Sequence, residues 1–386
     1  MKILLAPDSF KGSLSAREAA CVMREGLLAA NPNLDVILHP MADGGEGTLD
    51  VLTPSLGGKT LEMDISGMDG KPLQVPVLQF TTQFATKDHQ TAWLIESAQV
   101  IGLTLPSVRS IPVLERSSAP LGSLIRKGLE TGICCFYLAL GGSATNDGGI
   151  GLLSKLGIHL RSGEGETMSP AISSITDMRQ VDVSELDTRI GECELHLILD
   201  VDNPLLGKNG ATRTYGPQKG LKPGEVGNLE GWMRQWSTCA EQAFGCDVKN
   251  KSGAGAAGGL GFALLLLGAK AHAGAAFVAT LGKLGKHMPG CDWVITGEGK
   301  SDAQTLHGKV PVVVADLAHH AGTKVALISG RIDNNTPFGK MFDAVIQVSP
   351  NDMPVNQAMV CANELLMKAT SGFARLQFSP KNPGVA

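Results

Sequence analysis

The sequence predicts an α/β protein with a mainly parallel, covered sheet, and three observations carry that prediction. Short, near-continuous apolar runs alternate with helical patterns, the signature of strands buried on both faces between helices. Four of these runs lead directly into Gly-rich acidic clusters: ADGGEGT at 42–48, GGSATNDGG at 141–149, DVDNP at 200–204 and TGEGKSD at 296–302. The length of 386 residues suits roughly two domains of about 100–200 residues each.

The elements follow in order. Lys2–Pro7 reads as a first buried strand, broken at Pro7-Asp8 into DSFKGSLS. Ser15 and Glu18 form an S-x-x-E capping box, and Ala19, Val22, Met23 and Leu27 then recur at helical spacing to give one apolar face. A second strand, Asp35–Pro40, enters ADGGEGT, which completes the opening of a parallel βαβ unit. Further strands are expected at Thr91–Ile95, Cys134–Leu140, Glu194–Leu199, Asp292–Thr296, Lys324–Ile328 and Ala344–Val348. Helices are expected over Leu121–Glu130, ending at Gly132, and over the Ala- and Leu-rich Gly258–Ala276. Crossing points at Gly57–Gly58 and Met288–Gly290 make one domain discontinuous, residues 1–60 plus 290–386 and Rossmann-like, with 61–289 forming a second α/β domain. Two consecutive halves are the plainer alternative. The final SPKNPGVA reads as a frayed tail.

Composition excludes several function classes. A net charge of −4 gives no electrostatic footprint for nucleic acid. The apolar fraction of 43% against 4% aromatics calls for cores of Leu, Val, Ile, Ala and Met. The eight cysteines are scattered without a CxxC pair, so inert, mostly buried thiols are expected. MKILLAP is too short an apolar run for a signal peptide, and Ala256–Ala269 falls short of the about 20 apolar residues of a membrane span. No membrane partner and a cytoplasmic location are therefore expected.

Several familiar sites are also excluded. Gly58-Lys59-Thr60 and Gly299-Lys300-Ser301 resemble the end of a P-loop, but Thr53 and Val294 stand where its first glycine belongs. Gly253–Gly258 matches G-x-G-x-x-G, yet polar DVKNKS precedes it and no acidic residue follows before Asp292, which defeats a dinucleotide reading. The same turn either offers amides to a phosphate at a helix start or lets segments pack closely. His307, His319 and His320 lack metal-ligand spacing, and no G-x-S-x-G elbow occurs.

What remains points to a phosphorylated ligand and a hard cation. Asp8, Ser9 and Lys11 sit at the carboxyl end of the first strand, where Lys11 can meet phosphate as a point charge. Asp43 and Glu46 either hold Mg²⁺ through waters or orient a hydroxyl, or are solvated turn acids; Asn146 and Asp147 carry the same two readings. Asp200, Asp202 and Asn203 follow one apolar run, and Glu298 and Asp302 another. Magnesium takes one or two carboxylates with phosphate oxygens and waters, so some of these acids must position substrate instead.

APDSFKGSLSA at 6–16, ADGGEGT at 42–48, GGSATNDGG at 141–149, DVDNPLLG at 200–207, YGPQKG at 215–220, GAGAAGGLG at 253–261 and TGEGKSDAQTLHGKVP at 296–311 together resemble the bacterial-type (class I) glycerate kinase family, collinearly over essentially the whole chain. The resemblance implies two different α/β domains, one flavodoxin-like, with the active site in the cleft between them. It implies transfer of the γ-phosphoryl group of ATP, with Mg²⁺, to D-glycerate, at the 2-hydroxyl in bacterial members; the 3-hydroxyl or a related hydroxy acid is the alternative, and a non-catalytic ligand sensor a remoter one. Homodimer and monomer both stay open. The segment SSAPLGSLI at 117–125 departs from the family's more polar pattern.

Roles follow from the resemblance. Lys11 and Lys219 neutralise phosphate oxygens, and Ser9, Gly141, Gly142, Ser143 and the turn from Gly255 to Gly258 cradle the phosphate chain. Asp200, Glu298 and Asp147 are the expected metal ligands. Asp43 is the expected base, with Asp8 and Asp302 as alternatives. Glu46, Asn146, Arg331 and Lys309 are expected to face the substrate, with Arg331, Lys309 or Lys11 taking its carboxylate.

Overall fold

The computed structural model describes residues 1–84 and 91–378; the expected terminal tail lies outside them. The chain forms two compact units, one comprising Met1–Asp43, Asp50–Ser55 and Gly274–Ala386, the other Gly44–Leu49 and Leu56–Ala273.

The first unit holds a five-stranded sheet that is parallel throughout. Its spatial order is Ala344–Gln347, Lys324–Ser329, Trp293–Thr296, Lys2–Leu5, Asp35–Leu38. Numbered along the chain this is 2-1-3-4-5, the flavodoxin-like order. Ligands in such sheets lie beyond the carboxyl ends at the point where the order reverses, between the first and third strands. Those two strands pair with Leu5 beside Ile295 and run out into Asp8 and Glu298. Ile3, Leu5, Ile295 and Ile328 pack with Met23 and Leu27 of the helix Ala16–Ala30 and Leu366 and Phe373 of the helix Ala362–Phe378. The alternate residues Leu4, Val294 and Leu327 are equally buried, so both faces are covered, as continuous apolar strands require. The capping box forms as the sequence predicts: Glu18 N donates to Ser15 Oγ at 3.2 Å and Ser15 N to Glu18 Oε2 at 2.8 Å.

The second unit is built on a six-stranded mixed sheet in the order Lys270–Ala273, Glu194–Leu199, Cys135–Ala139, Thr91–Glu96, Pro72–Thr81, Gly58–Ser66. The first four strands are mutually parallel and the last two form an antiparallel hairpin. A small antiparallel sheet of Thr167–Met168, His159–Ser162 and Met178–Asp182 is pinned by Arg161 on Asp182 at 2.8 Å.

Two expectations need correction. Gly258–Ala276 is not one helix. The helical segment Ala256–Leu266 contains left-handed residues at Ala257, Gly258 and Gly259, and after Gly268 the chain becomes the strand Lys270–Ala273 before a separate helix, Gly274–Leu281. The cysteines are all free, but only Cys135 and Cys291 are buried and the other six are partly exposed. Among the described residues, no helix is long and apolar enough to cross a membrane.

Candidate active site

Within the first unit, a cavity of about 440 Å³ opens at the switch point of the sheet. Asp8, Ser9, Lys11, Asp43, Glu298, Asp302, Lys309 and Arg331 all line it. The sequence expectations for these eight residues therefore meet in one place. Asp8 is buried, and the Ser9 amide donates to its Oδ1 at 2.7 Å. Burial raises its pKa well above the ordinary carboxylate range, and the neighbouring charges of Asp43 and Glu298 push the same way. Asp43 is also buried, with the exposed Lys11 ammonium 3.9 Å from its Oδ2. Asp8, Asp43 and Glu298 are thus crowded together, with the exposed Lys11 beside them.

The remaining members are held by local chemistry. Glu298 Oε1 accepts from Ser301 Oγ at 2.9 Å and Thr305 Oγ1 at 2.7 Å, which fixes the carboxylate; burial still raises its pKa. Asp302 serves structure instead. It caps the turn Ala303–Leu306 and pairs with Lys300 at 2.9 Å, and that hydrogen bond holds its pKa below the ordinary value. Both of its oxygens are thereby engaged, Oδ1 with the Gln304 amide and Oδ2 with Lys300. Arg331 donates to the Met353 carbonyl. One wall of the cavity is apolar, made of Val348, Val355, Ala358 and Met359.

A second, smaller cavity of about 110 Å³ lies within the second unit. Gly141, Gly142, Ser143, Asp200, Tyr215, Gln218 and Lys219 line it. Lys219 is fully buried, its ammonium donating to the Thr145 carbonyl at 2.6 Å and reaching Ser143 Oγ at 3.5 Å. Burial lowers its pKa to about 7; the Asp147 charge opposes that shift and Arg116 adds to it. Tyr215 Oη donates to Asn203 Oδ1 at 2.5 Å, and burial raises the phenol to about 12.

Other predicted site residues lie elsewhere. Asp147 is buried and already committed to the protein. Its carboxylate accepts from Ser118 N and Ser118 Oγ, both at 2.8 Å, from Gly149 N at 3.1 Å and from Gly151 N at 3.2 Å. It ties the GGSATNDGG loop to the start of the helix Ala119–Glu130 and does not present a metal ligand. Asn146 is buried, with Nδ2 3.4 Å from Thr212 Oγ1. Glu46 is exposed and lines neither cavity.

The Gly-rich turn packs rather than cradles. The Gly255 amide is spent on the Asn203 carbonyl at 2.8 Å, and a Cβ on Gly258 would stand 2.0 Å from the Thr145 carbonyl oxygen. These two glycines let the turn press against the loops after the sheet, so the phosphate-cradle expectation for them is withdrawn. Among the described residues no group of three or more His, Cys, Asp or Glu side chains forms a metal cage.

Sequence reasoning missed three buried groups. Glu96 accepts from Gly47 N at 2.9 Å and Leu49 N at 3.0 Å, fastening the ADGGEGT loop. Arg116 donates to the carbonyls of Ile111 and Lys219, both at 2.9 Å. Ser118 holds Asp147. None carries a motif. The only signal was their isolation as polar residues beside apolar runs.

Comparisons with known proteins agree with one another. A profile described as the glycerate kinase family matches residues 3–377. A protein from Bacillus subtilis (strain 168) named glycerate kinase is 37% identical over 377 residues, covering 97% of each chain. One from Escherichia coli (strain K12) named glycerate 2-kinase is 34% identical over 388 residues, covering 100% of each. A crystal structure of a candidate glycerate kinase 2 from Salmonella typhimurium LT2 superposes with a TM-score of 0.78 at 33% identity, over 97% of this chain and 98% of that one. With motifs, sheet order and whole-length similarity in accord, the chain belongs to the glycerate kinase family.

Proposed function

We propose that the protein transfers the γ-phosphoryl group of ATP to the 2-hydroxyl of D-glycerate, giving 2-phosphoglycerate and ADP, with Mg²⁺ as cofactor. The observation that carries this reading is the cavity at the switch point, where Asp8, Asp43 and Glu298 crowd beside Lys11. Phosphoryl transfer asks the protein mainly for positioning and charge neutralisation, and these residue types serve both. The choice of hydroxyl rests on the name of the Escherichia coli relative.

The acids fit a magnesium ion. Burial and two like charges hold Asp8 toward its neutral form, and a divalent cation reverses that balance. Asp8 and Glu298 would hold the ion, leaving remaining positions to phosphate oxygens and water. When bound, Mg²⁺ neutralises charge on the phosphate oxygens. Lys11 adds a further positive charge at the mouth. Asp43 accepts the proton of the substrate hydroxyl as its oxygen attacks phosphorus, while the bridging oxygen leaves with ADP. The apolar wall of Val348, Val355, Ala358 and Met359 suits a nucleoside better than a three-carbon polyol.

The test is ADP release by the purified protein with ATP, Mg²⁺ and D-glycerate, set against other small hydroxy acids. Turnover with D-glycerate is expected, and Asp43→Asn should lose most of kcat while nucleotide affinity stays. Absence of turnover across the panel would remove the proposal.

A further inference from the structure

We infer that the small cavity of the second unit, built on Lys219, Ser143 and the Gly141–Gly142 turn, binds the carboxylate of the hydroxy-acid substrate, with Asp200 and Tyr215 beside the hydroxyl that is not phosphorylated. The inference rests on the kinase reading above and deepens it. It also changes two roles expected from sequence: Lys219 serves substrate rather than the phosphate chain, and Asp200 faces the unreacting hydroxyl rather than a metal.

Size is the first argument. The cavity is about 110 Å³, a quarter of the 440 Å³ space in the first unit. It suits a three-carbon acid and not a nucleotide.

Charge is the second. Among the described residues, Lys219 and Asp200 are the charged side chains lining the small cavity, one of each sign. A single carboxylate beside the buried Lys219 leaves one net negative charge there, whereas a triphosphate would leave several against that one ammonium. The larger cavity carries four cations, Lys11, Lys300, Lys309 and Arg331, alongside Asp8, Asp43, Glu298 and Asp302, so it offers a polyanion several positive partners where the small cavity offers one.

Donor geometry is the third. A charged lysine offers three N–H bonds. Lys219 directs two of them at the Thr145 carbonyl and Ser143 Oγ, and among the described residues the third has no protein acceptor. Burial at 4% exposure makes that ammonium a fixed donor rather than a solvated one. Arg116 grips the Lys219 carbonyl at 2.9 Å, which holds the backbone that presents it. Asp200 is placed to accept the hydrogen of the unreacting hydroxyl, and Tyr215 Oη can accept one in return for the proton it gives Asn203.

The shared chemistry of the alternatives is an oxyanion, either the substrate carboxylate or a nucleotide phosphate, and binding tests separate them. Calorimetry would titrate D-glycerate, inorganic phosphate and ADP separately into wild type, Lys219→Met and Ser143→Ala. Loss of a hydrogen bond to a charged group corresponds to about 10–100-fold in affinity. The expected result is that loss for D-glycerate with Lys219→Met, a smaller one with Ser143→Ala, and ADP binding within about twofold of wild type by the same scale. In turnover, KM for D-glycerate should rise while KM for ATP holds. Weakened ADP or inorganic phosphate binding with D-glycerate binding intact would assign the cavity to the nucleotide and overturn the inference; so would no change in any of the three. Should Lys219→Met fail to fold, Ser143→Ala decides by the same comparison. If wild type turns over no hydroxy acid, the kinase proposal fails by itself, and Lys219-dependent binding of D-glycerate or glycolate still decides the carboxylate site.

Discussion

Replacing Asp147 by alanine removes one carboxylate and strands several donors. Ser118 N and Oγ, Gly149 N and Gly151 N all give their hydrogens to it at 2.8–3.2 Å. The site is buried, so the backbone donors cannot turn to bulk water. Each unsatisfied buried donor costs about 1–3 kcal/mol, although a water entering the vacated space would recover part of that. Lys219 also loses the negative charge that supports its own. A net destabilisation of about 3–5 kcal/mol is the expected sum, comparable with breaking a buried ionic partner. Urea unfolding followed by circular dichroism reads it as a lower midpoint with the slope unchanged. Asp147→Asn, which keeps one acceptor oxygen and the shape, should lose clearly less. The reasoning fails if Asp147→Ala unfolds within about 0.5 kcal/mol of wild type, the range of an ordinary surface change, and instead needs far more Mg²⁺ for activity; that pattern would restore Asp147 as a metal ligand.

Three further outcomes are expected. Asp8→Asn removes a buried acid crowded by Asp43 and Glu298, so it should raise the melting temperature by a few degrees while abolishing most of kcat, a trade of about 0.5–2 kcal/mol typical of strained functional sites; a lower melting temperature would contradict it. Gly258→Ala places a methyl against the Thr145 carbonyl at a backbone φ of +71°, and should cost about 2–4 kcal/mol in urea unfolding from overpacking and left-handed strain; a neutral change would revive the phosphate-cradle reading. The Lys219 pKa is lowered from 10.5 to about 7, so the charged form that binds a carboxylate is lost as pH rises through 7. KM for D-glycerate should therefore climb toward about tenfold per pH unit above that point, and Lys219→Arg should flatten the climb; a KM independent of pH in wild type would contradict it. The sign for stability is separate: between pH 7 and 10.5 the unfolded chain holds this proton more tightly than the fold does, so this group makes stability rise with pH across that window.

Much of the first unit was legible because its physics is local. Buried parallel strands must be apolar throughout, and Lys2–Leu5, Trp293–Thr296 and Lys324–Ser329 show this plainly; each is followed by a polar loop at its carboxyl end. The Ser15–Glu18 capping box needs only four residues to be recognised. The hairpin Gly58–Ser66 and Pro72–Thr81 escaped notice because its outer strand is mostly exposed and mixes polar with apolar residues. The run from Gly258 to Ala276 misled because small apolar residues suit a buried helix and a tight turn equally well. There, positive φ at Gly258 and Gly259, set by contact with Thr145 and Gly148, decided the outcome.

The site shows the same division. Asp8, Lys11, Asp43 and Glu298 could be gathered from sequence because each follows a strand of one parallel sheet. Asp147 could not be sorted from them, since an acid in a Gly-rich loop looks alike whether it binds a cation or four donor atoms of its own chain. The burial of Lys219 depends on packing distant in sequence, including Arg116 and Thr145, and no motif encodes its depth.

The most direct measurement is phosphorus and proton NMR of the reaction of purified protein with ATP, Mg²⁺ and D-glycerate. The account predicts stoichiometric ADP and a single phosphate ester coupled to the C2 proton. An ester on C3 would overturn the choice of hydroxyl, and ADP accompanied only by inorganic phosphate would contradict the transfer itself.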